Sequence, residues 1–365
     1  LAGKVEATVG KVTEIMTQRE GFTEIEVQVD EKVEKAVNYD DITGKISKGD
    51  RVVLNTTAVR LGLGTGGYHF VQANLTHPVV HMEGPGHIMK LRYTPEQIKV
   101  LSIEEEAAGF SEVFNRFQSL DGFPVVIFSL HSALAPIVVS IKLLRPKLKI
   151  AYIMTDGGAL PVRISHSVYE LRNSGLLDMV ITSGHTFGGD FETINIYSAL
   201  ITAKEIAGAD AAVIGMGPGN VGTGTKWGFS GIQLGESINA VNILGGRPVF
   251  CPRISFCDPR ARHRGISHHS QTVLSTVALT PAIVVLPYLA EPKNDFLKKQ
   301  IENNEIEKKH RVIWEHGDRG WEKLQEMSLR VTTMGRGIQE EKDFFLGACA
   351  SGLYLAKLSR QIGLN

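Results

Sequence analysis

Ala211-Ala-Val-Ile-Gly-Met-Gly-Pro-Gly-Asn-Val-Gly-Thr-Gly-Thr-Lys226 is a short apolar run that breaks directly into closely spaced glycines and a lysine. A bounded apolar run of this length reads as a buried strand. Glycines immediately after it free the backbone to turn tightly and to aim N–H groups at a ligand. The arrangement recurs along the chain. Thr155-Asp-Gly-Gly158 follows the run Lys149–Met154, Ser183-Gly-His-Thr-Phe-Gly-Gly-Asp190 follows Asp178–Thr182, and an Arg/His-rich segment follows Pro248–Cys251. Val125–Ser129 and Ala282–Leu286 are further runs of the same kind, and helical patterns lie between them. Strands alternating with helices predict an α/β domain: a doubly wound, mostly parallel sheet with helices on both faces.

This Rossmann-like domain spans residues 93–365 and has a helical C-terminal part. Glu104–Ser119, Asn294–Lys309, Trp321–Arg330 and the small-residue segment Phe344–Ala356 carry helical spacing. Residues 1–92 read differently. Val5–Ile15, Thr23–Val29, Lys35–Tyr39, Arg51–Thr57 and Tyr68–Leu75 are rich in alternating or β-branched residues and are separated by turns, which predicts a small N-terminal β-barrel domain. The glycine-rich Leu61–Gly67 reads as a loop between two of these strands.

Lysine plus arginine and aspartate plus glutamate each number 39. That balance gives no support to nucleic-acid or membrane-surface binding, so positive potential must be local. The three cysteines, Cys251, Cys257 and Cys349, contain no Cys-x-x-Cys pair and suit reduced thiols in a cytoplasm. Thr272–Ala290 is apolar enough to suggest a membrane span, but Pro281 divides it into a helix and a buried strand. Homodimer formation, through the terminal small-residue helix or the barrel, is expected only from the commonness of twofold assemblies.

In an open parallel sheet, the loops leaving the carboxyl ends of the strands share one edge, where ligands bind. The polar loops here all occupy that position. They bring Ser129 and His131, Asp156, and His185 with Asp190 and Glu192 to one edge. The same edge receives Gly217, Gly219, Asn220, Gly222, Thr223 and Lys226, and the segment Asp258–Ser270 with Arg260, Arg262, Arg264, His263, His268 and His269. Glycine-freed N–H groups, Lys226, Arg260 and Arg262 are the expected anion holders. His185, His263 and His268 are the expected acid/base groups, oriented by Asp156 or Asp190. Ser267 caps a helix whose first turn carries His268 and His269. Adjacent helical residues diverge by about 100°, so one histidine is expected to serve the site while the other packs. Met334-Gly-Arg-Gly337 offers one more arginine.

Gly217-Pro-Gly-Asn-Val-Gly222 has dinucleotide-fingerprint spacing, but Thr223–Gly228 prolongs the loop and the next strand leads to Arg253 rather than to an acidic residue. NAD and flavin are therefore not expected. A Walker loop fails because Trp227 follows Lys226 where a hydroxyl is required, and Gly228-Phe-Ser-Gly231 is not a nucleophile elbow. A divalent metal is the alternative cofactor. His185, Asp190 and His263 are its first ligand set, and His185, Asp190 and Glu192 with Asp156, or His263 and His268 with Asp258, are the others. None has a recognised metal spacing.

Taken together, Thr155–Pro161, Ser183–Asp190, Gly217–Thr225 and Arg262–His269 resemble a bacterial family described as a domain of unknown function and found in Firmicutes and Actinobacteria. The resemblance covers most of the chain and implies a cytoplasmic bacterial protein without supplying an activity. The residues themselves point to an enzyme that binds a phosphorylated or other anionic small molecule at the carboxyl edge of the sheet. A metal-dependent hydrolase is the second reading, and a non-catalytic metabolite-binding regulatory protein is the third.

Overall fold

The computed structural model describes residues 3–64, 66–327 and 329–361. Its chain divides into two compact units, 1–85 with 91–99, and 86–90 with 100–365.

In the first unit β1 (Ala7–Arg19), β2 (Phe22–Val29), β3 (Lys32–Asn38), β4 (Arg51–Asn55) and β5 (Tyr68–Asn74) close a barrel in the order β1-β2-β3-β5-β4. All neighbours are antiparallel except β3 and β5. Alternate residues point inward, and Val12, Ile25, Val27, Ala36, Val52, Leu54 and Val71 fill the interior.

The second unit contains an eight-stranded, wholly parallel sheet. Its strands are β6 (Pro124–Phe128), β7 (Ile150–Thr155), β8 (Met179–Ser183), β9 (Phe191–Thr193), β10 (Ala211–Met216), β11 (Arg247–Cys251), β12 (Ile283–Pro287) and β13 (Arg311–Glu315). They lie in the order β9-β8-β7-β10-β6-β11-β12-β13. Both faces of the sheet are buried, which explains why the central strands are continuously apolar rather than alternating. On one face Val126, Phe128, Tyr152, Met154 and Val213 pack against α1 (Leu134–Leu144), α2 (His166–Asn173), and two later helices, α7 (Asp318–Glu326) and α8 (Lys342–Gln361). On the other, Val125, Ile127, Ile153, Ile214 and Phe250 meet α3 (Ile196–Ile201), α4 (Gln233–Ile243) and α6 (Lys293–Asn303), and Val273 and Leu274, just after α5 (His268–Thr272), pack there too.

Two edge strands, β9 and β13, join the six expected from apolar runs. Glu104–Ser119 is not one helix: it forms a 3-10 turn at Glu106–Ala108 and a short helix at Ser111–Arg116. Thr272–Ala290 supplies the end of α5, a π-turn over Val273–Val277 and β12. Among the described residues no helix is long and apolar enough to cross a membrane. The small residues of α8 are used within the chain. An added Cβ at Gly352 would lie 2.8 Å from Ser140 Cβ on α1, so this face of α8 is already covered.

Candidate metal centre

β6 and β10 are neighbours, yet the helices that follow them, α1 and α4, pack on opposite faces. Their exit loops therefore diverge and open a crevice at the carboxyl edge. Ser129, Asn220, Phe229, Arg253, His269 and Ser270 line a cavity there of only about 10 Å³, roughly the space of one water.

The chain after β11 makes a hairpin-like excursion. Ile254 pairs antiparallel with Ile266, and Ser267 N donates to Arg253 O at 2.9 Å. This return places Ser267 at the start of α5, where its Oγ accepts from His269 N at 3.4 Å. Gly265 makes the turn with φ +67°, and Phe296 packs where a Cβ would project. Three imidazoles converge. The ring centroids of His263 and His268 are 5.0 Å apart, those of His263 and His269 5.2 Å, and those of His268 and His269 4.2 Å.

Nε2 of His268 and Nε2 of His269 are buried and have no hydrogen-bond partner. His263 turns Nδ1 toward Ser267 Oγ (2.8 Å) and Arg253 Nη1 (3.2 Å), which leaves Nε2 as its available nitrogen. One ligand atom from each ring falls within 4.8 Å of the others. Tetrahedral zinc with bonds of about 2.0–2.1 Å sets nitrogens roughly 3.3 Å apart, a gap that rotation about the broad His χ2 torsions can close. Burial, then Arg253 and Arg260, lowers the His263 pKa to about 3. Burial, then His268 and Arg253, lowers that of His269 to about 4. For His268 burial and Arg262 act in the same direction. The rings are thus neutral at pH 7, the form that ligates metal.

The divergence expected of consecutive helical histidines does not separate their functions. His269 stacks on Phe229 with centroids 4.0 Å apart, which tilts its ring toward His268. Asp258 does not join the histidines as a ligand. Its Oδ1 accepts from Arg260 N and Nε, and its Oδ2 from Arg253 Nη2 (2.6 Å) and Arg260 Nη2 (2.7 Å). The Arg260 hydrogen bond is the largest cause holding this carboxyl well below the usual range, against desolvation. Arg260 is therefore engaged with Asp258, whereas Arg262 is exposed and close enough to act on His268. Arg336, from the loop before α8, pairs with Glu341 at 2.9 Å and reaches 3.8 Å from Asp258.

The ligand set His185, Asp190 and His263 is not assembled. His185 leaves β8 and His263 follows β11, four strands away, roughly 19 Å at the usual spacing. Asp190 sits beside Val180, toward the amino end of β8. It accepts from Val180 N at 2.7 Å and pairs with Arg172 at 2.9 Å. Asp156 Oδ1 accepts from His185 N and Thr186 N, which fixes the loop after β8. Glu192 is paired with buried Lys90 at 2.7 Å.

His131 and Ser129 do not form a nucleophile–base pair. His131 Nδ1 lies 3.1 Å from Met216 O and Nε2 2.7 Å from Ser165 Oγ, while Ser129 Oγ bonds Cys251 O and Ser270 Oγ. In the glycine-rich loop, Asn220 Oδ1 accepts from Ser230 Oγ, Thr223 Oγ1 bonds Thr225, and Lys226 Nζ lies over Trp227. A Cβ on Gly222 would stand 2.9 Å from His269 Cε1, so this loop passes directly against the histidine cluster. Gly217 lets the loop approach Ala159, and Gly219 has φ +93°.

The family model described as "Protein of unknown function (DUF3866)" matches residues 35–352. The chain belongs to this family. The DUF3866 match takes in the whole sheet and all three clustered histidines. No curated protein matches the chain. Sequence reasoning assigned only one of His268 and His269 to the site, with His268 as the acid/base candidate, and passed over Arg253. The concentrated histidines of His263-x4-His268-His269 were the available signal, but that spacing matches no established metal motif.

Proposed function

We propose that this DUF3866 chain is a divalent-metal-dependent hydrolase of a phosphorylated or other anionic small molecule, with zinc as the best-suited ion. The observation that carries this reading is the pair of buried, unpartnered Nε2 atoms on His268 and His269, with His263 within ligand range. Buried polar atoms without partners are costly, and two on adjoining rings beside a third imidazole are accounted for by a shared ion. Three nitrogen ligands leave an open position, and an ion so held activates water for attack. Ligation through Nε2 would put the His263 proton on Nδ1, where Ser267 Oγ accepts it, and would turn the Arg253 Nη1 donor away from Nδ1.

Arg262 supplies the charge that selects an anionic substrate. Asp258 neutralises much of the charge of Arg253 and Arg260, while Arg262 presents an exposed guanidinium beside His268. The backbone at Gly222 lies against His269 and bounds the site there. Hydrolysis adds water across the scissile ester: its oxygen goes to phosphorus or the acyl carbon, and the leaving oxygen takes up a proton. The test is a screen of phosphate and carboxylate esters with zinc-restored protein. Arg262→Ala is expected to raise KM at least tenfold for the ester that turns over. Turnover unaffected by complete removal of metal would overturn the reading.

A further inference from the structure

A cavity with a volume near 610 Å³ lies at the opposite edge of the sheet, at the amino ends of β11, β12 and β13. This is within the range of small-molecule sites. Arg247 and Arg311, the first residues of β11 and β13, line it together with Tyr354 and Lys357 of α8 and with Glu315. Lys357 and Glu315 pair at 2.6 Å and cancel. Arg247 and Arg311 have no ion pair with any described residue, yet both act electrostatically on the Tyr354 phenol, which places them around one point. Helix carboxyl ends converge on this edge of a doubly wound sheet and favour nearby cations. That accounts for the presence of arginines but not for an open cavity between them.

We propose that this amino-edge cavity is a second binding site, taking a small molecule through a phosphate or carboxylate held by Arg247 and Arg311. Guanidinium forks bind such oxyanions in a bidentate manner, and the Tyr354 hydroxyl adds a donor. Burial raises the phenol pKa, so Tyr354 keeps its proton at neutral pH. The five-residue strand β11 runs from Arg247 at this site to Cys251, two residues before Arg253 beneath the histidine cluster. The site is therefore distinct from the metal centre and does not depend on it.

The test uses inorganic phosphate as the probe, with binding to the full chain followed by phosphorus NMR line broadening. Arg262→Ala first removes the carboxyl-edge contribution. In that background phosphate binding is expected to persist, and to weaken at least tenfold in Arg247→Gln/Arg311→Gln. Arg311 is exposed, so Arg311→Gln alone should fold normally and weaken binding severalfold. Absence of phosphate binding in the Arg262→Ala background, or binding there that Arg247→Gln/Arg311→Gln leaves unchanged, overturns the proposal. Neither result bears on metal binding at the histidines.

Discussion

His268 and His269 are consecutive in the chain, yet their ring centroids lie 4.2 Å apart and each buries an Nε2 atom without a hydrogen-bond partner. Such an arrangement is unfavourable in isolation and becomes favourable around a shared cation.

His268→Leu tests that balance. In metal-free protein it removes one orphaned polar atom, so stability is expected to hold or to rise by about 1 kcal/mol. With zinc present at about 100 times its Kd, wild type should gain about 2.7 kcal/mol and His268→Leu almost none. Urea unfolding with and without chelator measures both. A His268→Leu protein stabilised by zinc as strongly as wild type would contradict the assignment.

Asp258 is the only carboxylate bonded to Arg253 among the described residues, and its side chain is fully buried. Asp258→Ala leaves Arg253 buried and uncompensated, and is expected to cost about 3–5 kcal/mol. Double substitution Arg253→Met/Asp258→Leu should recover most of the stability, because it removes both charges. Chemical denaturation of wild type and the two variants decides this.

His131 gives the clearest pH prediction. Burial depresses its pKa to about 4, although the Met216 carbonyl opposes the shift. A depressed folded-state value means that the unfolded chain binds the proton first, below about pH 6.5. The contribution is present above that pH and is lost as pH falls toward 4, on the order of 3 kcal/mol in all. His131→Gln should show a shallower fall in unfolding free energy over this window than wild type. Parallel curves would mean that His131 is not held neutral by the fold.

Much of the α/β unit was legible because strands buried on both faces must be apolar along their whole length, as Ile150–Thr155 and Ala211–Met216 are. Two edge strands escaped that logic. Phe191–Thr193 has three residues, and Arg311–Glu315 begins and ends with charge and is incompletely buried. Asp190 follows β8 in sequence and so reads as a carboxyl-edge residue. The parallel pairing of β9 carries it back beside Val180, something only long-range register determines.

The site was half visible for a similar reason. A concentration of histidine and arginine after β11 identifies the edge and its charge. Whether neighbouring rings meet depends on Phe229 stacking on His269 and on the hairpin that returns Ser267 to His263. Helical periodicity alone assigned His268 and His269 to different directions.

The most direct measurement is the metal content of purified protein by mass spectrometry after dialysis, for wild type and for His263→Ala, His268→Ala and His269→Ala, with circular dichroism to confirm folding. The account predicts about one divalent ion per chain in wild type and near-complete loss in each folded variant, while His185→Ala keeps the ion. A folded wild-type protein that neither contains nor takes up a divalent ion, or one that loses it only in His185→Ala, would contradict the three-histidine centre.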